Sequence, residues 1–144
     1  MIKRFIFDLD GTLIDKVDFS ELVKRKLKEF NYQYTDTQFR QYMQAMQNYE
    51  KEFSKYTFDD YFEYIHQISM IDFSPEYMKS FLFSATKCVP DFVHQDVISA
   101  LNYLKEKYEL VVLTNFFKEV QMLRMENAGI PFIFDDVIGG GHIY

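Results

Sequence analysis

Two aspartates two residues apart, Asp8 and Asp10, close a short apolar run, and Gly11-Thr12-Leu13 follows them. Residues two apart in a strand face the same side, so the two carboxylates converge where the strand runs out. Such a pair attracts a divalent cation, and its oxygen donors suit Mg²⁺. Gly11 lets the backbone turn tightly and approach a ligand closely. An acidic pair alone is often only solvated; its place at the end of an apolar strand, ahead of Gly-Thr-Leu, makes it far more specific. A second candidate is Val111-Val112-Leu113-Thr114-Asn115. A hydroxyl at the tip of a buried strand, just before a helix, can hydrogen-bond a phosphate oxygen, with the helix N-terminus adding N–H groups and a favourable dipole. Read alone, Thr-Asn is equally a common helix cap.

The elements that must position these residues follow from periodicity. Residues 3–9 read as a short buried strand, with β-formers and no helical period. From Asp18, the apolar residues Phe19, Leu22, Val23, Leu27 and Phe30 recur at helical spacing. A second helix spans about Asp36 to Phe53, with Phe39, Tyr42, Met43, Met46 and Tyr49 on its stripe. Thr57, three residues before Asp60, reads as the N-cap of a third, and Ser74-Pro75 starts a fourth that ends near Phe83. Residues 16–86 are therefore expected to be a helical insertion without strands. After Pro90, Val93, Val97, Ile98, Leu101 and Leu104 mark a helix ending near Tyr108. Glu109 to Leu113 is a continuous β-rich run, as in a parallel strand covered on both faces. A further helix runs from about Lys118 to Ala128 with Gly129 as its C-terminal cap. Phe132 to Ile138 is the third strand, and Gly139-Gly140-Gly141 a turn or flexible end. Strands alternating with helices imply a parallel α/β sheet, in which ligands sit at the carboxyl ends of the strands. Both candidate motifs lie there.

Composition narrows the classes. The chain has 144 residues, 48% of them apolar, which suffices for a buried core. Its 16 Phe and 11 Tyr are read mainly as core filling. Tyr56, Phe58 and Tyr61 face either a substrate pocket or, more simply, that core. A net charge of −6 with no basic stripe argues against nucleic acid, and Lys3-Arg4 and Lys24-Arg25-Lys26 are expected on solvated faces. Cys88 is the single cysteine, expected as a buried thiol, and excludes an intrachain disulfide. His66, His94 and His142 show no metal-ligand spacing. No run approaches the roughly 20 apolar residues that span a bilayer, and Asp8 and Asp10 interrupt the N-terminal run too early for a signal peptide. A cytoplasmic protein without a membrane segment is expected.

Asp8-Leu9-Asp10-Gly11-Thr12-Leu13 resembles the first signature motif of the haloacid dehalogenase superfamily, and Thr114-Asn115, one strand–helix unit after a helical insertion, resembles the second. The resemblance implies a Rossmann-like parallel sheet formed by residues 1–15 and 87–144. The all-helical insertion of residues 16–86 would be a C1-type cap that selects the substrate, hinged near Asp15 to Val17 and Ala85 to Pro90. It implies Asp8 as a nucleophile that forms an aspartyl-phosphate, and Asp10 as the acid and then the base. The Asp8 carboxylate and the Asp10 main-chain carbonyl would hold Mg²⁺. Thr114, with Asn115, Thr12 and Gly11 beside it, would bind the phosphate of a small phosphorylated metabolite. Because Asp10 can serve an oxygen leaving group, a phosphohydrolase is favoured over a haloacid dehalogenase; a phosphosugar mutase shares both aspartates.

The resemblance departs in two places. The family's third motif, a Lys, and its fourth, an acidic cluster on a fourth strand, follow a stretch like Phe134 to Gly140, and Tyr144 comes soon after. Lys118 is a candidate substitute for the Lys. Asp135-Asp136 is a candidate for the acidic pair, although its spacing from Thr114 places it better on the third strand. With only strands 1–3, the first strand is expected to be an apolar edge that invites pairing. A fragment, a split-gene half with a separate C-terminal partner, or a self-associating oligomer is expected, with a catalytically inactive interaction protein as the alternative to an enzyme.

Overall fold

The computed structural model describes residues 1–52, 57–73 and 75–140. Its elements are β1 (Arg4–Phe7), α1 (Ser20–Glu29), α2 (Asp36–Glu52), α3 (Phe58–Ser69), α4 (Pro75–Lys87), α5 (Gln95–Lys105), β2 (Glu109–Leu113), α6 (Lys118–Ala128) and β3 (Asp136–Ile138). The chain divides into two compact units: Met1–Val17 with Val89–Tyr144, and Asp18–Cys88.

The first unit is α/β. Its sheet runs β1-β2-β3 with both pairs parallel. Phe7 stands opposite Val112 and Leu113 opposite Ile138, so Asp8, Thr114 and Gly139 all follow the carboxyl ends on the same side. The continuous run Leu110-Val111-Val112 is buried because the central strand is covered on both faces. Leu9, Leu101, Leu110, Val112, Met125 and Val137 form an aliphatic core around it. β1 has β2 as its one sheet neighbour among the described residues, and Ile6 on it is 60% exposed.

β3 is shorter than the expected Phe132 to Ile138. Pro131 and Ile133 form a tight turn, Phe132 projects into solvent, and pairing begins only after Asp135 donates its N–H to the Leu110 carbonyl. Gly139 is not a loose end. A Cβ there would lie 2.5 Å from the Lys118 amide nitrogen and 2.7 Å from the Phe116 oxygen, so only glycine lets the β2–α6 loop pack against it.

The second unit is a helical bundle in which α2 packs on α3 and α1 on α4. Its stripes bury Val23 and Leu27 of α1, Phe39, Tyr42, Ala45 and Tyr49 of α2, Tyr61 and Ile65 of α3, and Met78, Phe81 and Leu82 of α4. Thr57 caps α3 by accepting from the Asp60 N–H at 3.1 Å. The expected Ser74 cap and Tyr56 lie outside the described residues. α4 continues to Lys87, beyond the expected end, because Leu82 and Thr86 keep its inner face buried. Two further expectations are corrected. Lys26 is buried rather than solvated, its ammonium held 2.8 Å from Glu29. Cys88 is exposed. Among the described residues no helix is long and apolar enough to cross a membrane.

Candidate active site

β1 ends at Phe7 and the chain turns at once. The Leu9 carbonyl accepts the N–H groups of Thr12, Leu13 and Ile14 at 3.0–3.2 Å, and Gly11 donates to Ile14 at 2.8 Å. Gly11 has φ +74°, a left-handed conformation that glycine adopts without strain. Leu9, Leu13 and Ile14 point into the core and pin the loop, which leaves Asp8, Gly11 and Thr12 at the surface. One oxygen of Asp8 accepts the Leu9 N–H at 2.8 Å.

Asp10 faces inward enough to be gripped. Its Oδ1 lies 2.7 Å from Arg124 Nη2, and its Oδ2 accepts from Gln121 Nε2 at 3.3 Å. The same Gln121 nitrogen donates to the Thr114 hydroxyl at 2.7 Å. Gln121 thus joins the first-strand loop to the tip of the second strand, and Asp10 and Thr114 are brought to one place. Thr114 is buried, with its N–H donating to the Ile138 carbonyl; Asn115 beside it is exposed. Phe117 stands at the N-cap of α6, whose N-terminus follows this loop, and Phe116 and Phe117 bury their rings beneath it.

Arg124 is anchored from behind. Its Nε and Nη2 donate to Asp91 Oδ1 at 3.2 and 2.9 Å, and its Nη1 donates to Gln121 Oε1 at 3.3 Å. Asn127 Nδ2 donates to the other Asp91 oxygen at 3.3 Å. The Asp91 side chain has no solvent exposure and that of Arg124 only 5%. Burial pushes the Asp91 carboxyl above its ordinary range, and the Arg124 guanidinium only partly offsets this. For Arg124, burial opposes the charge, but Asp10 and Asp91 outweigh it and raise its pKa.

Two proposed stand-ins fall elsewhere. The ion pair of Lys118 is with Asp136, at 3.7 Å, rather than with either aspartate of the first loop. Asp136 opens β3 in register with Val111, and Asp135 precedes it, bound to Lys105 at 2.7 Å and to the Leu110 N–H at 2.8 Å. Both therefore sit before the carboxyl end of the strand.

Sequence reasoning missed Asp91, Gln121, Arg124 and Asn127. One signal was available. Gln121 and Arg124 are three apart and share a helix face with Val120 and Met125, so the inward face of α6 carries two polar side chains. Phe58 is half-buried against Phe62 and Phe83, and Tyr61 lies in the core of the helical unit.

A parallel α/β unit carrying an acid pair and a strand-tip hydroxyl at its carboxyl edge, interrupted by a helical insertion, defines the general class. The model of the haloacid dehalogenase-like hydrolases matches residues 2–143, and the chain belongs to that family. No curated protein matches it at a significant level. Among solved structures it is similar to YfnB of Bacillus subtilis, a HAD-hydrolase by description and bound to magnesium (TM-score 0.64, 18% identity, 96% of this chain and 65% of that one). It is also similar to L-2-haloacid dehalogenase of Xanthobacter autotrophicus (0.57, 16%, 96% and 57%). A third is a predicted phosphoglycolate phosphatase of Haemophilus somnus (0.55, 20%, 99% and 64%). At these identities the likeness shows the fold. The chain spans somewhat less than two thirds of the length of each.

Proposed function

We propose that this chain carries the nucleophile and phosphate-binding half of a Mg²⁺-dependent phosphohydrolase for small phosphate esters. The observation that carries the reading is the Gln121 bridge, which gathers the acid loop and the Thr114 hydroxyl at one strand edge. Asp8, exposed and at the strand end, attacks phosphorus. As its oxygen bonds to phosphorus, the ester P–O bond breaks and the leaving oxygen takes a proton from Asp10. Water then attacks the aspartyl-phosphate and gives a proton to Asp10, and the bond between Asp8 and phosphorus breaks to release inorganic phosphate. Thr114 donates its hydroxyl hydrogen to a phosphate oxygen while its own oxygen accepts from Gln121. Asn115, Thr12 and Gly11 line the same edge.

The donor set fits a magnesium ion. The Asp10 carboxylate is occupied by Arg124 and Gln121, which leaves the Asp8 carboxylate and the Asp10 main-chain carbonyl as hard oxygen donors. Mg²⁺ retains waters and takes one or two protein carboxylates with substrate phosphate, so the lack of a cluster of three acidic, His or Cys ligands among the described residues is compatible with it. Bound there, the ion would offset repulsion between Asp8 and an anionic substrate. The magnesium in YfnB supports this assignment. The unit Asp18–Cys88 serves as the cap of a cytoplasmic enzyme. Phosphatase chemistry is preferred to dehalogenation because Asp10 is held in place for an oxygen leaving group.

Phosphate release from p-nitrophenyl phosphate, with and without Mg²⁺ and with Asp8→Asn as control, tests the reading. Turnover that needs both Mg²⁺ and Asp8 is expected. Folded, mass-verified protein that releases no phosphate would overturn turnover by this chain and favour a catalytically inactive fragment or interaction protein.

A further inference from the structure

Nothing in the two motifs calls for a buried arginine behind Asp10, yet the α/β unit builds one with care. Arg124 uses all three of its guanidinium nitrogens: two on Asp91, one on Gln121, with Nη2 shared by Asp10. Asp91, fully buried on the segment before α5, has Asn127 on its second oxygen. The Gln121 amide is oriented by the same network. Its oxygen must face Arg124, which can only donate, so its nitrogen must face Thr114 and Asp10. Both oxygens of Asp10 therefore meet donors only, one from Arg124 and one from Gln121. These two contacts fix the direction in which the Asp10 carboxyl faces, and Asp10 keeps 37% of its side-chain surface open toward solvent.

We infer that Arg124, braced by Asp91, is a positioning residue for Asp10 in its role as the base of the second half-reaction, and that Gln121 ties this setting to the phosphate-binding hydroxyl. The inference rests on the phosphohydrolase reading above and deepens it. A guanidinium fork clamped at one end to a fixed carboxylate has few orientations left, so it holds Asp10 within narrow limits. p-Nitrophenolate leaves without needing a proton, so the first half-reaction with this ester depends little on Asp10. Hydrolysis of the aspartyl-phosphate depends on it fully.

The test is transient and steady-state hydrolysis of p-nitrophenyl phosphate by the full chain with Mg²⁺, comparing wild type, Arg124→Lys and the double variant Arg124→Met/Asp91→Leu. The double variant replaces the buried pair by apolar side chains and so guards against simple unfolding. Expected is a retained burst of p-nitrophenolate, with kcat and KM falling together by roughly ten- to a hundredfold and kcat/KM nearly unchanged. A merely structural role would lower kcat/KM and the burst as well, and that result overturns the positioning role while leaving the phosphohydrolase reading intact. Wild-type protein that shows no Asp8-dependent release overturns that reading, and the role assigned to Arg124 with it. A readout free of turnover is the stability cycle of Asp10→Asn and Arg124→Lys in metal-free protein. Coupling of about tenfold in the unfolding constant is expected; strictly additive effects would show that the two side chains do not act together.

Discussion

In the helical unit, the largest buried side chains are aromatic. Tyr49 meets Tyr61 edge-on at 5.1 Å, Tyr32 meets Phe73 at 4.9 Å, and Phe81 receives the edge of Phe30 at 5.5 Å. Burial drives the hydroxyls of Tyr42 and Tyr61 well above their ordinary range. In the α/β unit the core cluster around the central strand is aliphatic, with Phe116 and Phe117 buried beside the loop that follows it, and one polar seam crosses the unit: Asp91, Arg124, Gln121 and Thr114. Ring packing depends on shape and buried area, so many similar side chains satisfy it. The polar seam depends on direction, because each donor must find its acceptor and an orphan left in a dry interior is costly. Directional constraint is therefore concentrated where the chemistry is proposed, and the helical unit is built from interactions that tolerate change.

The largest effect expected from this contrast is on turnover. Asp8→Asn should reduce phosphate release by at least about a thousandfold, whereas Tyr61→Phe, which keeps the buried ring, should change it little. A comparable loss in Tyr61→Phe would break the contrast. Stability gives the next largest effect. Arg124→Ala leaves the buried Asp91 without its charge partner, with only Asn127 still donating to it, and should cost about 3–5 kcal/mol in urea unfolding; Phe81→Ala should cost a similar amount, about 3–5 kcal/mol, through lost packing. The two should differ in rescue: replacing Asp91 as well, with Arg124→Met/Asp91→Leu, should recover most of the loss. Failure of the double variant to recover stability, together with failure of a large aliphatic side chain at position 81 to do so, would break the assignment of direction and shape to the two units.

Glycines supply a smaller effect. At Gly139 an added methyl meets backbone at 2.5–2.8 Å, so Gly139→Ala should cost about 1–3 kcal/mol and disturb the loop leading to α6. Gly129 has nothing within 4 Å but φ +76°, and Gly129→Ala should cost about 1 kcal/mol by thermal unfolding.

The smallest effect is in acid. Lys105, then the Leu110 N–H, hold the Asp135 carboxyl below its ordinary 3.8. A depressed folded pKa gives stability that is present above 3.8 and lost as pH falls through the lower folded value. Asp91 has the opposite sign: its raised folded pKa means stability declines as pH rises from 3.8 through that value. Unfolding midpoints followed on either side of pH 3.8 should lose the acid-side drop in Asp135→Asn and the decline above it in Asp91→Asn.

The elements were largely legible because their signals are local. Leu110-Val111-Val112 announces a covered strand, Gly129 ends α6 in the left-handed conformation, and Thr57 caps α3 as its spacing requires. Asp8-Leu9-Asp10-Gly11-Thr12 announces the acid loop for the same reason: strand alternation and a glycine turn act over a few residues. Lys118 was legible as a cation near Thr114, but its reach to Asp136 was not, since a long side chain takes whichever partner the fold brings near.

What the sequence by itself determined, then, is the order of the elements, the parallel α/β character, the family motifs and the pair Asp8 and Asp10. The tertiary structure alone decided that Asp91, on the segment before α5, meets Arg124 on α6, and that Gln121 spans Asp10 and Thr114. Those contacts join residues separated by 33 and 111 positions. No periodicity encodes them. They exist because the parallel sheet brings the carboxyl ends of its strands together, and because a charge buried in that core must find its partner there.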